Sequence, residues 1–428
     1  MANPILVVML CILTLLPASI SFAQNPMPLN LDDAVNQALL ANPDLSAMKA
    51  RALAMAAIPD QQGALPDPQL TLRAANVPLD TFSIDQEAMT QMQVGLSQAL
   101  PFPGKLLLRR EIAELESLSA DFTLEQQRLM LIQDVKTVWW NMYYLDRALE
   151  AIRRNQDLFR ELNSIAQTKY QVGQGLQQDV LLAQLELSKL LDQEISLATM
   201  RKNESVRFNT LLDQPADTKI TLPEMVQESL PEVPELDRLL SQARLSSPII
   251  MDQNYKVDAA RTKVQLAEKN FYPDFMAGAT YGYRAGENPD GSDRADFATL
   301  SITMSLPFFN LTEKKSAVSQ RQHEVFQQLK SLRGTENNVQ ASVTTALNDF
   351  QKSSREIVLL KSGILPQARQ TLDSMLAGYQ VNKVDFLNLV QAQTSLYNYE
   401  TRYWKSFSSA NQALARLAAA TGKENIGE

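Results

Sequence analysis

One cysteine and one histidine serve a chain of 428 residues. Cys11 lies inside an N-terminal apolar run, so once that run is removed no thiol remains. Disulfides, thiolate metal sites and a cysteine nucleophile are then excluded together. His323 sits in the polar stretch Gln322-His323-Glu324 and reads as a solvated side chain rather than a base or metal ligand. Neither a Gly-x-x-x-x-Gly-Lys loop nor a Gly-x-Ser-x-Gly elbow occurs, so no phosphate cradle or hydrolase nucleophile is legible. No catalytic set and no cofactor are expected. Positive charge is in deficit, with 40 Lys and Arg against 48 Asp and Glu and a net charge of −8. That excludes the basic stripe a nucleic-acid partner needs. The short cluster Lys105, Arg109 and Arg110 reads as a solvated helix start. No internal run reaches the ~18 consecutive apolar residues of a membrane-spanning helix.

What is present begins with an export signal over residues 1–23. Ile5 to Leu16 is apolar, Pro17 breaks it, and Ser21-Phe22-Ala23 is a small-residue cleavage site that leaves Gln24 first. The segment before the run carries no Lys or Arg, and Leu10 ahead of Cys11 argues against a lipid anchor. Export without a spanning helix leaves three outcomes: a soluble periplasmic protein, a secreted one, or an outer-membrane β-barrel.

The rest of the chain repeats itself once. Leu31-Asp32 and Gln37-Ala38 recur as Leu236-Asp237 and Gln242-Ala243. Leu100-Pro101-Phe102 returns as Leu306-Pro307-Phe308, and Tyr170-Gln171-Val172 as Tyr379-Gln380-Val381. The first repeat covers 24–214, a linker 215–234, the second repeat 235–422, and a tail 423–428. Such a period is a duplicated half, not a short-repeat solenoid.

Each half reads as short helices, two strands, a very long helix and a return helix. In the first half, Leu31 to Ala41 and Asp44 to about Gln61 are the short helices. Strands follow at about 69–76 and 91–100, where apolar and small polar residues alternate. In the second half the strands fall at about 274–284 and 297–306. A half-buried soluble sheet shows the same alternation. The roughly ten-residue strands and the long polar loop Gly286 to Asp293 favour a tilted membrane strand instead. Long helices are expected at about 105–170 and 312–378, with return helices at about 177–212 and 384–420. Leu124, Leu131, Val138, Leu145, Ile152 and Phe159 recur every seven residues, a coiled-coil seam. In the second copy the seam through Val325, Leu332, Val339 and Ala346 shifts by four residues to Val343, Phe350, Ile357 and Ile364, a stutter. Pro366 falls inside that helix and predicts a kink, because apolar spacing resumes at Leu372, Met375 and Leu376.

With these elements placed, the chain resembles the TolC family of outer-membrane efflux proteins over nearly all its mature length. The nearest branch is the outer-membrane component of metal-type tripartite pumps. Leu100-Pro101-Phe102-Pro103-Gly104-Lys105, Asn209-Thr210-Leu211-Leu212, Ala377-Gly378-Tyr379 and Gln391-Ala392-Gln393 carry the match. The resemblance implies a mainly α fold with a small β part. Long antiparallel coiled-coil helices would form a periplasmic tunnel, and four strands per chain would close a twelve-stranded barrel in a homotrimer. It also implies docking onto a periplasmic adaptor and an inner-membrane transporter of the RND type. Four strands cannot close a barrel alone, so partner copies are required on physical grounds as well. Trp139, Trp140, Tyr143 and Tyr144 fall where the family has an equatorial belt and read as packing there.

The functional chemistry is expected at the periplasmic tip, where the resemblance places the entrance. Tyr379, Asp385, Asn388 and Gln391 match its second hairpin, and Tyr170 and Asp179 its first. Many relatives carry aspartates at the positions of Asn388 and Gln391; this chain does not. A threefold ring of Asp385 would attract cations, while a plainer reading has Asp385 as the N-cap of the return helix. Hydrogen bonds among Tyr379, Asn388, Gln391 and the neighbouring hairpin are expected to control opening. The turns Gly173-Gln174-Gly175 and Val381-Asn382-Lys383 are the expected adaptor-docking tips. Met89 and Met92 offer thioethers suited to soft metals, but lipid- or loop-facing packing explains them as well. The expected function is an exit duct for substrates delivered by pump and adaptor, metal cations among them. Drug efflux, type I protein secretion and, in a different class, a soluble coiled-coil adaptor are the competing readings.

Overall fold

The computed structural model describes residues 28–426; the export signal expected over 1–23, with Cys11, lies outside the described residues. Four strands, β1 (Gln69–Ala75), β2 (Gln91–Leu100), β3 (Phe275–Tyr283) and β4 (Phe297–Met304), form one antiparallel sheet in the order β1-β2-β3-β4. The register puts Leu72 opposite Val94, Val94 opposite Tyr281, and Ala279 opposite Leu300. Because side chains alternate along a strand, Leu70, Leu72, Val94, Leu96, Tyr281, Leu300 and Ile302 share one face, while Met276 and Phe297 are the large apolar exceptions on the other. No described residue covers that face: Leu72, Leu300 and Ile302 are 73, 86 and 81% exposed. A soluble sheet would bury it, so the alternation belongs to a sheet whose outer solvent is lipid. The other face carries Thr71, Gln93, Gly95, Gly278, Thr280 and Ser301. Among the described residues, no strand lies beside the outer edges of β1 and β4.

The helices run away from this sheet. Helix α4 (Lys105–Gln171) has 67 residues and is therefore roughly 100 Å long at ~1.5 Å per residue. In the other half α8 (Leu311–Leu359), one π-helical turn (Leu360–Ile364) and α9 (Leu365–Gln380) form a continuous helical run. Pro366 does not end it. Proline removes one helical donor, and here the ladder shifts so that the N–H of Leu365 reaches the carbonyl of Leu360. A π turn is a recognised way to absorb such an irregularity.

Shorter helices stack end to end beside the long ones. The return helix α5 (Gln177–Leu211) meets α2 (Pro43–Ala56) at Asn42. The Asn42 carbonyl oxygen of the side chain accepts from the N–H of Leu45, capping α2, while its amide donates to the carbonyl of Leu211. The second return helix, α10 (Phe386–Ala420), ends beside α7 (Pro248–Lys269), but there Ser247 takes the place of Asn42 and makes no side-chain cap bond. There Gly422 has φ +76°, and any β-carbon on it would strike the Ser246 carbonyl. Helix α1 (Leu31–Ala41) lies against α4, and α6 (Leu236–Ser246) against α8. The expected single helix from Asp44 to Gln61 is two: α2 ends at Ala56 and α3 (Ile58–Gly63) begins with Pro59 in its first turn. Proline is accommodated there but not in a helix interior.

The seam is buried as its spacing requires: Leu131, Val135, Val138, Met142, Leu145, Ile152 and Phe159 all lie in the core. Halfway along, Trp139 stacks on Tyr143 at 5.7 Å, and Trp140 meets Phe407 edge-on at 5.5 Å. The aromatics are packing, as expected. Segment 215–234 wraps this belt: Tyr403 Oη donates to Glu228, Lys361 pairs with Glu228 at 2.7 Å, and Arg201 reaches the Ile220 carbonyl.

At the strand–helix junction the reading of Lys105 is corrected. Its ammonium is buried and pairs with Asp274 at 2.9 Å, while Asp274 also accepts from the N–H of Phe102 at 2.7 Å. Phe102 stacks on Tyr272 at 4.6 Å. A buried ion left without its partner is costly, so this pair ties the end of the sheet to the start of α4. Arg109 and Arg110 are solvated as expected.

Candidate functional site: the two hairpin tips

Helices α4 and α5, and α9 and α10, each turn through a tight cap. In the first tip the N–H of Gln174 bonds the Lys169 carbonyl and that of Gly173 the Tyr170 carbonyl. In the second, Lys383 bonds Gly378 and Asn382 bonds Tyr379. Both are Schellman caps, with Gly173 (φ +75°) and Asn382 (φ +61°) at the left-handed position. The docking candidates Gly173, Gln174, Val381, Asn382 and Lys383 are all exposed, and Gly175 is half-buried.

The tips lie side by side around a cavity of about 690 Å³ lined by Lys169, Asp179, Tyr379, Asn382, Asp385 and Phe386, among others. Tyr379 is 5% exposed, its ring 5.2 Å from Phe386. Lys169 stands over that ring at 4.2 Å. The same ammonium donates to the Tyr379 carbonyl and, at 2.6 Å, to the Asn382 side-chain oxygen. One side chain from the first tip therefore holds the backbone, ring and turn of the second. Burial, and secondarily the Asp179 carboxylate, push the Tyr379 hydroxyl up to about 12. Burial and then the charge of Asp385 raise Asp179, against the backbone N–H it accepts and the nearby Lys169.

The six entrance candidates do not converge within one chain. Tyr379, Asp179 and Asp385 line the cavity. Asn388 and Gln391 stand exposed at successive turns of α10, and Tyr170 is 49% exposed and outside the cavity lining. The Tyr379 hydroxyl has no hydrogen-bond partner among the described residues, so the expected bonds from Tyr379 to Asn388 and Gln391 do not form inside a protomer. Asp385 holds the N-cap position through its backbone, accepting from the N–H of Asn388 at 3.1 Å, but its carboxylate makes no cap bond. Lys169 was not singled out by the sequence reading. Its signal was the misalignment of the repeats: Lys169 precedes Tyr170 where Gly378 precedes Tyr379. Among the described residues no cluster of histidine, cysteine, aspartate or glutamate could hold a metal.

An open amphipathic sheet joined to ~100 Å helices defines the subunit of an outer-membrane channel with a helical duct. The chain belongs to the outer membrane efflux protein family, whose sequence pattern matches residues 34–213 and 239–423, one match per half. It is 25% identical over 399 residues to outer membrane protein TolC of Escherichia coli K12, covering 86% of this chain and 77% of that protein. To the cobalt-zinc-cadmium resistance protein CzcC of Cupriavidus metallidurans it is 21% identical over 241 residues, 56% of this chain and 54% of the other. Its fold matches CusC, described as forming a transmembrane channel, with a TM-score of 0.78, 17% identity and 94 and 96% of the two chains covered. The open-state MtrE outer membrane channel of Neisseria gonorrhoeae gives 0.78 at 16% identity, covering 94 and 91%. The protein is thus an outer-membrane efflux channel with a periplasmic helical portion, in a family of channels rather than enzymes.

Proposed function

We propose that the chain assembles as a homotrimer whose three sheets close one twelve-stranded barrel, and that the trimer is the exit duct of a tripartite pump. The observation that carries this is the sheet: one face lined by large apolar side chains that are mostly exposed, with Gln98 its main polar exception, and both edges unpaired among the described residues. Lipid tolerates no open edge, and three copies satisfy all of them. The polar turns at the far end are the surface for a periplasmic adaptor, which links the duct to an inner-membrane transporter of the RND type. The likeness to CzcC supports the metal-pump branch. At the entrance, Asp385, Asn388 and Gln391 face the threefold axis, and the side-chain bonds absent within a protomer form between protomers.

Fractionation tests the assembly. The full chain is expected in the outer-membrane fraction as a detergent-resistant trimer that falls to monomer on boiling. A soluble periplasmic monomer would favour the adaptor reading instead. Single-channel conductance of Asn388→Ala and Gln391→Ala tests the entrance: a rise is expected, and unchanged conductance removes both residues from it.

A further inference from the structure

Above the entrance, α10 presents one exposed stripe. Asn388, Gln391, Ser395, Asn398, Arg402 and Lys405 follow at alternating steps of three and four residues, all solvent-facing. This 3.5-residue period keeps the stripe on one side of a supercoiled helix. The opposite side of α10 is covered, with Tyr403 bonded to Glu228 of the linker and Phe407 packed on Trp140. The stripe continues the line of Asn388 and Gln391, so on the duct reading it faces the lumen.

Between α8 and α10 the stripe opens into a groove of about 620 Å³. Its charged lining is Arg402, Lys405 and Arg416 from α10, with Asp349, Lys352 and Glu356 from α8. Helices α4 and α5 reach it with Tyr144 and Gln193, both neutral. Four cations thus face two carboxylates. Arg402 pairs with Glu356 at 3.1 Å and Arg416 with Asp349 at 2.9 Å. Glu356 stays ionised, held below the usual carboxylate range by the Ser406 hydroxyl and then by Arg402. Lys352 and Lys405 are exposed and have no ion-pair partner among the described residues. Each chain therefore leaves an excess of positive charge at this level.

The acidic entrance does not cancel it. Asp385 and Lys405 are twenty residues apart on one helix, about 30 Å at ~1.5 Å per residue, against a screening length of about 8 Å in physiological salt. A water-filled bore with low-dielectric walls concentrates such a field, and rings of lysine and arginine select for anions. We propose that this groove is a cation-lined section of the lumen that makes the duct favour anionic cargo: small molecules bearing carboxylate or phosphate groups. A metal ion leaving by this route crosses as an anionic chelate rather than as the bare cation. The inference rests on the duct reading.

Two measurements on the full chain test it, with the double variant Lys352→Gln/Lys405→Gln. In planar bilayers under a potassium chloride gradient, the double variant is expected to lower the chloride-to-potassium permeability ratio about twofold or more. Asp385→Asn, at the entrance, is expected to move the ratio the other way. An unchanged ratio in the double variant overturns the proposal. Independently, the trisulfonated dye pyranine is titrated into detergent-solubilised protein and followed by fluorescence anisotropy. Binding about tenfold weaker in the double variant is expected from removing the two unpaired cations; equal binding overturns the proposal. A wild-type protein that forms no pore counts against the duct reading, and the pyranine titration then still decides the groove.

Discussion

The two hairpin tips solve the same turn with opposite choices of side chain. In the first, Gly175 packs on the helix end: a β-carbon there would lie 2.9 Å from the Lys169 β-carbon and 3.0 Å from the Tyr170 nitrogen. In the second, the glycine has moved to the other partner, and a β-carbon on Gly378 would lie 2.5 Å from a Val384 methyl. Lys169 faces Gly175; Gly378 faces Val384. One of the two positions must be glycine, and duplication has let each copy decide which. The consequence is chemical asymmetry between the tips. The first copy keeps a lysine free to reach across, and the second keeps a tyrosine for it to cover. Repeats that agree in backbone thereby differ in chemistry.

The sharpest way to break this pairing is to fill both positions of one tip. Gly378→Lys places a β-carbon against Val384, and overpacking of this kind costs about 1–3 kcal/mol. Amide hydrogen exchange across 376–390 should quicken accordingly. Adding Val384→Gly recreates the first tip's arrangement and is expected to restore most of the protection. If the double variant exchanges as fast as the single one, the compensation argument fails.

Next in size is the reach of Lys169. Lys169→Met keeps the stem but loses the cation over the Tyr379 ring and the bonds to Tyr379 and Asn382. A cation–π contact contributes about 0.5–2 kcal/mol depending on exposure. Exchange at the second tip should rise severalfold while the first tip is unchanged, and single-channel conductance should increase. Equal loosening of both tips would show that Lys169 merely stabilises its own helix.

Asp179 adds a pH dependence to the contact. Its pKa is raised in the folded tip, by burial first and the Asp385 charge second. An acid whose folded pKa is raised stabilises the fold when protonated. The folded tip therefore gains stability as pH falls through that raised pKa, and the gain is complete below the ordinary value of 3.8. Conductance should fall as the medium is acidified through this window. Asp179→Asn should conduct less at neutral pH and lose the dependence; a variant with the wild-type profile would exclude Asp179 as its source.

Much of this architecture was legible because it is written in local periodicity. Alternation located all four strands, and the seven-residue spacing of Val138, Leu145 and Ile152 located the seam. What periodicity cannot report is a partner far along the chain. Lys105 looked like one of three solvated cations until Asp274, 169 residues away, was beside it. Tyr170 and Tyr379 occupy the same place in the two repeats, yet one is half exposed and the other buried under Lys169. No local pattern separates them, because the neighbouring tip sets the environment. Pro59 was legible in principle: it marks the start of α3, and the apolar spacing around it obscured the break.

The smallest expected effect concerns the left-handed residue itself, and its sign depends on the other tip. Glycine has no β-carbon to strain at φ +61°, so the backbone part of Asn382→Gly should gain up to about 1 kcal/mol. It also deletes the oxygen that accepts from Lys169 at 2.6 Å, a charge-assisted bond whose loss offsets a gain of that size. In the wild-type background the substitution is therefore expected to be nearly neutral by hydrogen exchange. In Lys169→Met, where the bond is already gone, the same change should be stabilising. The difference between backgrounds is the coupling between the tips, read directly by a double-mutant cycle. Identical effects in both would mean that the second tip is held by its own cap and not by its partner.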